Sequence, residues 1–206
     1  MTGAARPAPV VAAREADTRT AAAVKALRAA GDQAAARDRF AELVSRHQRR
    51  ASRIAFHYLH DAAEADEAVQ DAFVKAYSHL ASFREALPFE VWFTRILING
   101  CLDRIKARGR RERWIVPIES AGEAAPVPVA RGLSPEAALL ARERRRALAA
   151  ALAKLPERQR AVFVLSQIEG HSAREVGQIT GLNESTVRVH LFRALRRLRK
   201  LLTERL

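Results

Sequence analysis

Apolar residues recur every three or four positions along most of the chain, which is the period of a helix with one buried face. Three such stripes lie between residues 40 and 105. They contain Phe40, Leu43, Val44, His47, Ala51, Ile54, Ala55 and Tyr58; Ala65, Ala68, Val69, Ala72, Phe73, Ala76, Tyr77 and Leu80; and Phe89, Trp92, Phe93, Ile96 and Ile105. Pro88 would open the third helix, because proline is favoured in a first turn. Strand-like alternation is rare, so the pattern predicts an all-α protein.

A segment rich in proline and glycine divides this pattern. Residues 114–133 hold three prolines and two glycines, so we expect a flexible linker there. The linker separates a predicted small helical domain, residues 36–113, from a second one, residues 134–206, which opens on a Ser-Pro-Glu helix start. The Ala-rich residues 1–35 contain two prolines and are predicted to be a mobile tail, with a short helix around Ala21–Ala29.

The last helices of the second domain have the signals of a helix-turn-helix. Ser172 and Glu175 have the spacing of a capping box at the start of one helix. Gly181 follows that helix where the chain must turn sharply, and Asn183 is a good N-cap for the next helix. In such a pair the second helix enters the major groove of DNA. The alternative is an ordinary basic amphipathic helix without the turn.

The final helix has two faces with different chemistry. An apolar stripe, which we expect to point inward, contains Val187, Leu191, Ala194, Leu195, Leu198 and Leu202. The opposite face, which we expect to meet base edges and phosphates, contains Glu184, Ser185, Arg188, Val189, Phe192, Arg193 and Arg196.

Charge is distributed unevenly along this basic chain, whose formal net charge is +13. Residues 61–71 contain five acidic residues and no lysine or arginine. Nucleic acid would be repelled there, so the acidic face of the second helix is predicted to dock on a basic protein surface. The alternative is a solvated face that only aids solubility.

The third helix ends in a basic run that suits phosphate contact: Arg104, Lys106, Arg108, Arg110, Arg111 and Arg113. Upstream, a polar stripe of Arg95, Asn99, Asp103 and Lys106 adjoins the aromatic residues Phe83, Phe89, Trp92 and Phe93. Polar edges beside aromatic rings suit the capture of unstacked bases. For Trp92 and Phe93 individually a place in the core is the favoured interpretation, so the loop Ser82–Pro88 is the better candidate for base contact.

The sequence offers no catalytic or metal site, and we expect neither an enzyme nor a cofactor. The six histidines lack metal-ligand spacing, and Asp66 and Glu67 point about a hundred degrees apart on a helix, which spoils shared coordination. Cys101 is expected to be a small buried hydrophobe, with a redox role as the alternative. The chain has no run of 18 apolar residues and no signal-peptide core, so we expect no membrane insertion and a cytoplasmic location.

Two parts of the chain together resemble bacterial RNA polymerase sigma factors. AEADEAVQDAFVKAYSHLASF, followed by PFEVWFTRILINGCLDRIKARGRR, resembles their second conserved region. ALAKLPERQRAVFVLSQIEGHSAREVGQITGLNESTVRVHLFRALRRLRKLL resembles their fourth region. With only a short linker between them, the two parts are similar to the compact extracytoplasmic-function group.

The resemblance implies a role for each surface. Asp66, Glu67, Gln70 and Asp71 would dock on the clamp coiled coil of the largest subunit of core RNA polymerase. The melted minus-10 promoter element would be held by Phe83, Arg84, Trp92, Arg95, Asn99, Lys106, Arg108, Arg110 and Arg111, with one base flipped into a pocket. The helix Glu184–Arg197 would read the minus-35 element as duplex, and an anti-sigma protein is an expected partner.

The chain departs from the family pattern at several positions. Gly177 replaces a usual alanine and should soften its helix, His190 replaces a common arginine, and Phe192 lies at an often polar place. The loop Ser82–Pro88 is more apolar than usual. These departures affect the promoter sequence that is read. The alternative function is a dimeric helix-turn-helix regulator, which would bind a palindromic duplex without polymerase.

Overall fold

The computed structural model describes residues 8–112 and 135–203, and the regular structure in those two ranges is helical. The α-helices are α1 (Ala8–Ala29), α2 (Gln33–Leu59), α3 (Ala62–Ser78), α4 (Phe89–Glu112), α5 (Pro135–Ala153), α6 (Glu157–Phe163), α7 (Ala173–Thr180) and α8 (Glu184–Thr203). A 3₁₀ turn, Leu80–Ser82, follows α3, and a π-helical turn, Val164–Ile168, continues α6. The all-α prediction is confirmed.

The helices separate into two compact units, of which the first contains α1–α4. The second contains α5, α6, α8 and most of α7. The predicted linker, residues 114–133, and the predicted cap Ser134 lie outside the described residues. Among those that are described, no helix combines the length and the apolar character needed to cross a membrane.

The core of the first unit is formed by the three predicted stripes. Phe73 and Phe93 stack with ring centroids 4.4 Å apart, which joins α3 to α4, and Phe40 of α2 packs edge-on against Phe73. Helix α4 begins at Phe89, one residue later than predicted, and the carbonyl of Pro88 accepts hydrogen bonds from the amides of Val91 and Trp92.

Helix α1 contradicts the prediction of a mobile tail over residues 1–35. It is 22 residues long and packs against α2 and α4, with Ala21 and Val24 fully buried. A buried hydrogen bond also fixes it, because the Asp17 carboxylate accepts from the imidazole of His47 on α2. The prediction was wrong for residues 8–29, because the small alanine side chains, which give only a weak apolar pattern in the sequence, allow close packing between helices.

Cys101 is buried in α4, as predicted for a small hydrophobe. Burial raises its pKa from 9.0 to about 11, and only part of that rise is opposed by the positive charge of Arg104. A thiol with this pKa remains protonated near neutral pH, where the thiolate is the reactive species. The structure therefore does not favour the alternative of a redox role.

The second unit has a small core of its own. A buried cluster joins Ala151 and Leu152 of α5, Leu155 of the turn that follows it, Phe163 of α6, and Ala194 and Leu198 of α8. Helix α5 begins at Pro135, as predicted, and Pro156 immediately precedes the first residue of α6. This packing supports α8 from one side and leaves its opposite face exposed.

Candidate nucleic-acid and protein-docking surfaces

The turn between α7 and α8 has the predicted helix-turn-helix chemistry. The Ser172 hydroxyl accepts a hydrogen bond from the Glu175 amide, and the Glu175 carboxylate accepts one from the Ser172 amide at 2.8 Å, which completes the capping box. Gly181 ends α7 with φ +75°, a left-handed conformation that glycine adopts without strain. The Asn183 side chain accepts a hydrogen bond from the Thr186 amide at 2.8 Å and caps α8.

The outer face of α8 is presented to solvent as predicted. All seven of its assigned side chains are exposed: Glu184, Ser185, Arg188, Val189, Phe192, Arg193 and Arg196. Glu184 and Arg188, one helical turn apart, form an ion pair. Phe192 is 66% exposed, which is unusual for so large an apolar ring. The contact of these residues with DNA stays a prediction.

Leu195 corrects the predicted inner stripe of α8. Val187, Ala194 and Leu198 are buried as expected, but Leu195 is 43% exposed. Helical spacing placed it at the edge of the stripe, and the helices that cover α8 do not extend that far around it. The exposed face of α8 therefore carries one more apolar side chain than predicted.

Gly177 has a steric role that the sequence comparison with the family pattern did not indicate. A Cβ atom at this position would lie 2.6 Å from the backbone carbonyl oxygen of Leu182 in the following turn. Real Cβ atoms do not approach a carbonyl so closely, so α7 and the turn require glycine here. The expectation that Gly177 only softens the helix was incomplete.

The predicted docking residues on α3 form an exposed acidic face. Asp66, Glu67, Gln70 and Asp71 all lie at the surface, while Ala65, Ala68 and Ala72 on the opposite side are buried. Asp61 caps the helix by accepting a hydrogen bond from the Glu64 amide at 2.8 Å. Acidic residues near a helix N-terminus are also stabilised by its dipole.

Two arginines assigned to phosphate contact also form ion pairs with this acidic face. The Arg104 guanidinium donates to Glu67 at 3.0 Å and to Asp71 at 2.6 Å, and Arg108 forms an ion pair with Glu64 at 3.4 Å. The hydrogen bonds that Arg104 donates to Asp71, and then to Glu67, raise the pKa of its guanidinium. The sequence run suggested one uniform basic patch, but the helical period turns part of it towards α3.

Phe83 is a second correction among the predicted base contacts. Its side chain is 1% exposed and packs against the rings of Phe89 and Trp92, with centroids 6.0 and 5.3 Å away. The ring is therefore part of the core and offers no free face to a base. Trp92 is half-buried.

The remaining minus-10 candidates are accessible. The exposed side chains among them are Arg84, Arg95, Asn99, Lys106, Arg108 and Arg110. The side chain of Arg111 lies outside the described residues. Within residues 8–112 and 135–203, no cluster of three or more histidine, cysteine or acidic side chains has an arrangement that could hold a metal ion.

Comparison with known proteins gives these surfaces a family context. Residues 43–111 match the family model described as Sigma-70 region 2, and residues 145–198 match the model described as Sigma-70, region 4. The two matches together cover more than half of the chain. The chain belongs to the sigma-70 family of RNA polymerase sigma factors.

Curated relatives that match most of this sigma factor's length place it in the extracytoplasmic-function (ECF) group. The ECF RNA polymerase sigma factor SigW of Bacillus subtilis is 31% identical over 84% of this chain and 92% of its own length. SigM of Mycobacterium tuberculosis is 33% identical, with 89% and 85% covered, and the ECF sigma-E factor of Escherichia coli is 31% identical, with 80% and 84% covered. A sigma factor directs promoter recognition and transcription initiation.

Solved structures of other sigma factors share the fold. CnrH, in complex with the cytosolic domain of CnrY, has a TM-score of 0.62 at 28% identity and covers 92% of this chain and 98% of its own. RpoE from Bartonella quintana, in complex with the anti-sigma factor NepR, has a TM-score of 0.66 at 25% identity, with 80% and 96% covered. The match to CnrH covers 92% of this chain, so it leaves out fewer residues than the 35-residue tail that we predicted.

Proposed function

We propose that this sigma factor uses three separate surfaces in initiation. The acidic face of α3 docks on the clamp coiled coil of core RNA polymerase. The loop Ser82–Pro88 and the exposed face of α4 hold the melted minus-10 element, and α8 reads the minus-35 element as duplex. In this proposal the first domain extends over α1–α4, residues 114–133 connect it to the second, and α8 belongs to the second domain.

The observation that carries the proposal is the exposed acidic face of α3 in a chain of net charge +13. A protein that only binds DNA gains nothing from a carboxylate-rich surface, because phosphates are repelled there. A larger protein with a complementary surface explains both the acidity and the exposure.

The minus-35 assignment is supported by the exposed face of α8. Arg188, Arg193 and Arg196 supply cations for phosphates or guanine edges, and Glu184 and Ser185 lie at the helix N-terminus, where helix-turn-helix proteins contact bases. Phe192 and Val189 add exposed apolar area that suits contact with thymine methyl groups.

The minus-10 assignment is supported by the exposed polar groups that surround the loop. Arg84 lies on the loop itself, and Arg95 and Asn99 lie one helical turn apart on α4. Lys106 and Arg110 continue the exposed cationic positions towards the end of α4. Binding energy gained from the open strand offsets lost base stacking, so the sigma factor itself performs no catalytic step in opening the promoter. Its proposed place of action is the cytoplasm.

An anti-sigma protein is proposed as the regulatory partner. The relatives CnrH and RpoE were solved in complex with the cytosolic domain of CnrY and with the anti-sigma factor NepR, respectively. A protein that covers the acidic face of α3 or the exposed face of α8 would block polymerase or promoter access by competition.

The docking assignment is tested by neutralising the acids without changing their shape. The variant D66N/E67Q/D71N should lose most of its affinity for core polymerase, because charge complementarity across the interface is removed. The control is D38N, which neutralises one exposed acid on α2 in the same unit, against three in the test variant. Affinity for purified core enzyme is measured for both variants, and circular dichroism checks that helical content is unchanged.

Core affinity equal to wild type in D66N/E67Q/D71N would contradict docking through α3. A loss of binding free energy per neutralised charge that is the same in D38N would show that overall charge, rather than this face, governs the association.

A further inference from the structure

One face of α1 contacts the chain on both sides of the loop Ser82–Pro88. The residues that make these contacts recur at intervals of three, four or seven and therefore share a face: Arg14, Thr18, Lys25 and Arg28. Fully buried Ala21 lies between Thr18 and Lys25 on the same stripe and allows α1 to approach closely.

The contacts are specific hydrogen bonds and ion pairs. The Lys25 ammonium donates to the carbonyl oxygen of Phe83 at 3.0 Å, and the Thr18 hydroxyl oxygen accepts from the amide of Phe89 at 3.2 Å. Farther out, Arg14 pairs with Glu90, and Arg28 bonds the carbonyl of Tyr77 and lies 4.6 Å from the centre of its ring. Both ends of the loop are therefore fastened to one helix.

Because α1 is a helix, the distance between its two contacts with the loop is fixed. Thr18 and Lys25 are seven residues apart, which is about 10 Å along a helix axis. Between the two fastened ends the loop exposes Arg84, Glu85 and Ala86, and the Leu87 amide donates to the Arg84 carbonyl at 3.0 Å. A rigid helix that holds both ends keeps the exposed part in one shape before any DNA arrives.

We infer that Thr18 and Lys25 are positioning residues for base capture, which set the shape of the loop Ser82–Pro88 that receives an unstacked base of the opened strand. The inference rests on the proposed function of that loop. Preorganisation matters here because ordering the loop during binding would reduce the net affinity for the strand. Neither residue needs to touch DNA for this role.

The test removes the two fastening hydrogen bonds while preserving side-chain size. The variant T18V/K25M is compared with K25R, which keeps a donor for the Phe83 carbonyl, and with R19A, which removes an exposed cation from another face of α1. Each is reconstituted with core polymerase. The probes are the single non-template strand across minus 10 and the minus-35 duplex, both taken from a promoter selected from a random library with wild-type holoenzyme.

T18V/K25M should bind the single strand about tenfold more weakly, because two hydrogen bonds that hold the loop are lost. Its affinities for core polymerase and for the minus-35 duplex should equal those of wild type, K25R should restore most strand binding, and R19A should match wild type throughout.

Unchanged strand binding in T18V/K25M would overturn the inference. So would a parallel loss of core affinity, which would reveal a general effect on folding. Wild-type holoenzyme that fails to bind the single strand would instead overturn the proposed function of the loop, and the positioning role with it.

Discussion

Gly177 lies where α7 approaches the turn that follows it most closely. Because a Cβ there would lie 2.6 Å from the Leu182 carbonyl, the turn must move to admit any other residue. Gly100, in the middle of α4, has open space where a Cβ would lie, with no atom within 4 Å, and its φ is in the ordinary helical range. An added Cβ therefore clashes at Gly177 but fits at Gly100.

The substitution G177A should lower the free energy of unfolding of the second unit by about 1–3 kcal/mol, since the steric cost exceeds the gain in helix propensity. The control G100A should raise the free energy of unfolding of the first unit by about 0.5–1 kcal/mol, because alanine favours the helix. Denaturant unfolding measures both. A stabilised G177A would show that the turn relaxes freely.

Individual side chains show where sequence reasoning succeeds and where it stops. Helical spacing correctly placed Val187, Ala194 and Leu198 inside and Arg188 outside. It could not place Leu195 or Phe83, because their burial depends on how far neighbouring elements extend over them. The contact of Gly177 with Leu182 is also invisible to spacing, since it depends on the path of the turn.

At the scale of elements, α4 supplies the cations that partly neutralise α3. Arg104 bridges Glu67 and Asp71, which are two of the residues proposed to dock on polymerase. Exposed ion pairs of this kind contribute little to stability, typically about 0–1 kcal/mol. Their larger effect is on the negative potential that α3 presents to a partner.

We expect R104Q to bind core polymerase several-fold more tightly at low salt. Without the Arg104 guanidinium, Glu67 and Asp71 no longer form ion pairs within the protein and can pair with the cations of the polymerase instead. The difference should shrink as ionic strength rises and screens exposed charges. Stability should fall by less than about 1 kcal/mol. The control R95Q removes an exposed cation from the same helix, away from the described ion pairs of α3.

Core affinity measured across a salt series separates two roles for Arg104. Weaker binding of R104Q would mean that Arg104 itself contacts polymerase and does not cover the acids. An equal gain in R95Q would mean that net charge alone sets the affinity.

Helix α1 is the element that the sequence analysis described least well. Its signal was present in the Gly31–Asp32 pair, where Gly31 has φ +85° and Asp32 caps α2 by accepting from the Ala35 amide at 3.0 Å. A glycine in the left-handed conformation commonly ends one helix, and an aspartate N-cap commonly begins the next. The bonds from Thr18 and Lys25 to the loop could not be predicted, because they join residues that are 71 and 58 positions apart.

At the scale of the whole molecule, the separation of charge supports the function. Acidic residues without any lysine or arginine among them occupy residues 61–71 on α3 and its cap, while exposed arginines line α8 at Arg188, Arg193, Arg196, Arg197 and Arg199 and the end of α4 at Arg108 and Arg110. The all-α class, two helical units and the helix-turn-helix were predictable because they follow from local period and caps. The pairing of α3 with α4 was not, because it arises only when the helices pack.

The central claim is that this chain acts with core polymerase and not alone. Its most direct test uses purified protein free of any inhibitor, core enzyme and the selected promoter carrying a fluorescent base analogue at minus 10. We predict association with core enzyme at low salt, and promoter opening only when both proteins are present. Failure to associate with core enzyme, or tight binding of a palindromic duplex by the protein alone, would contradict the account.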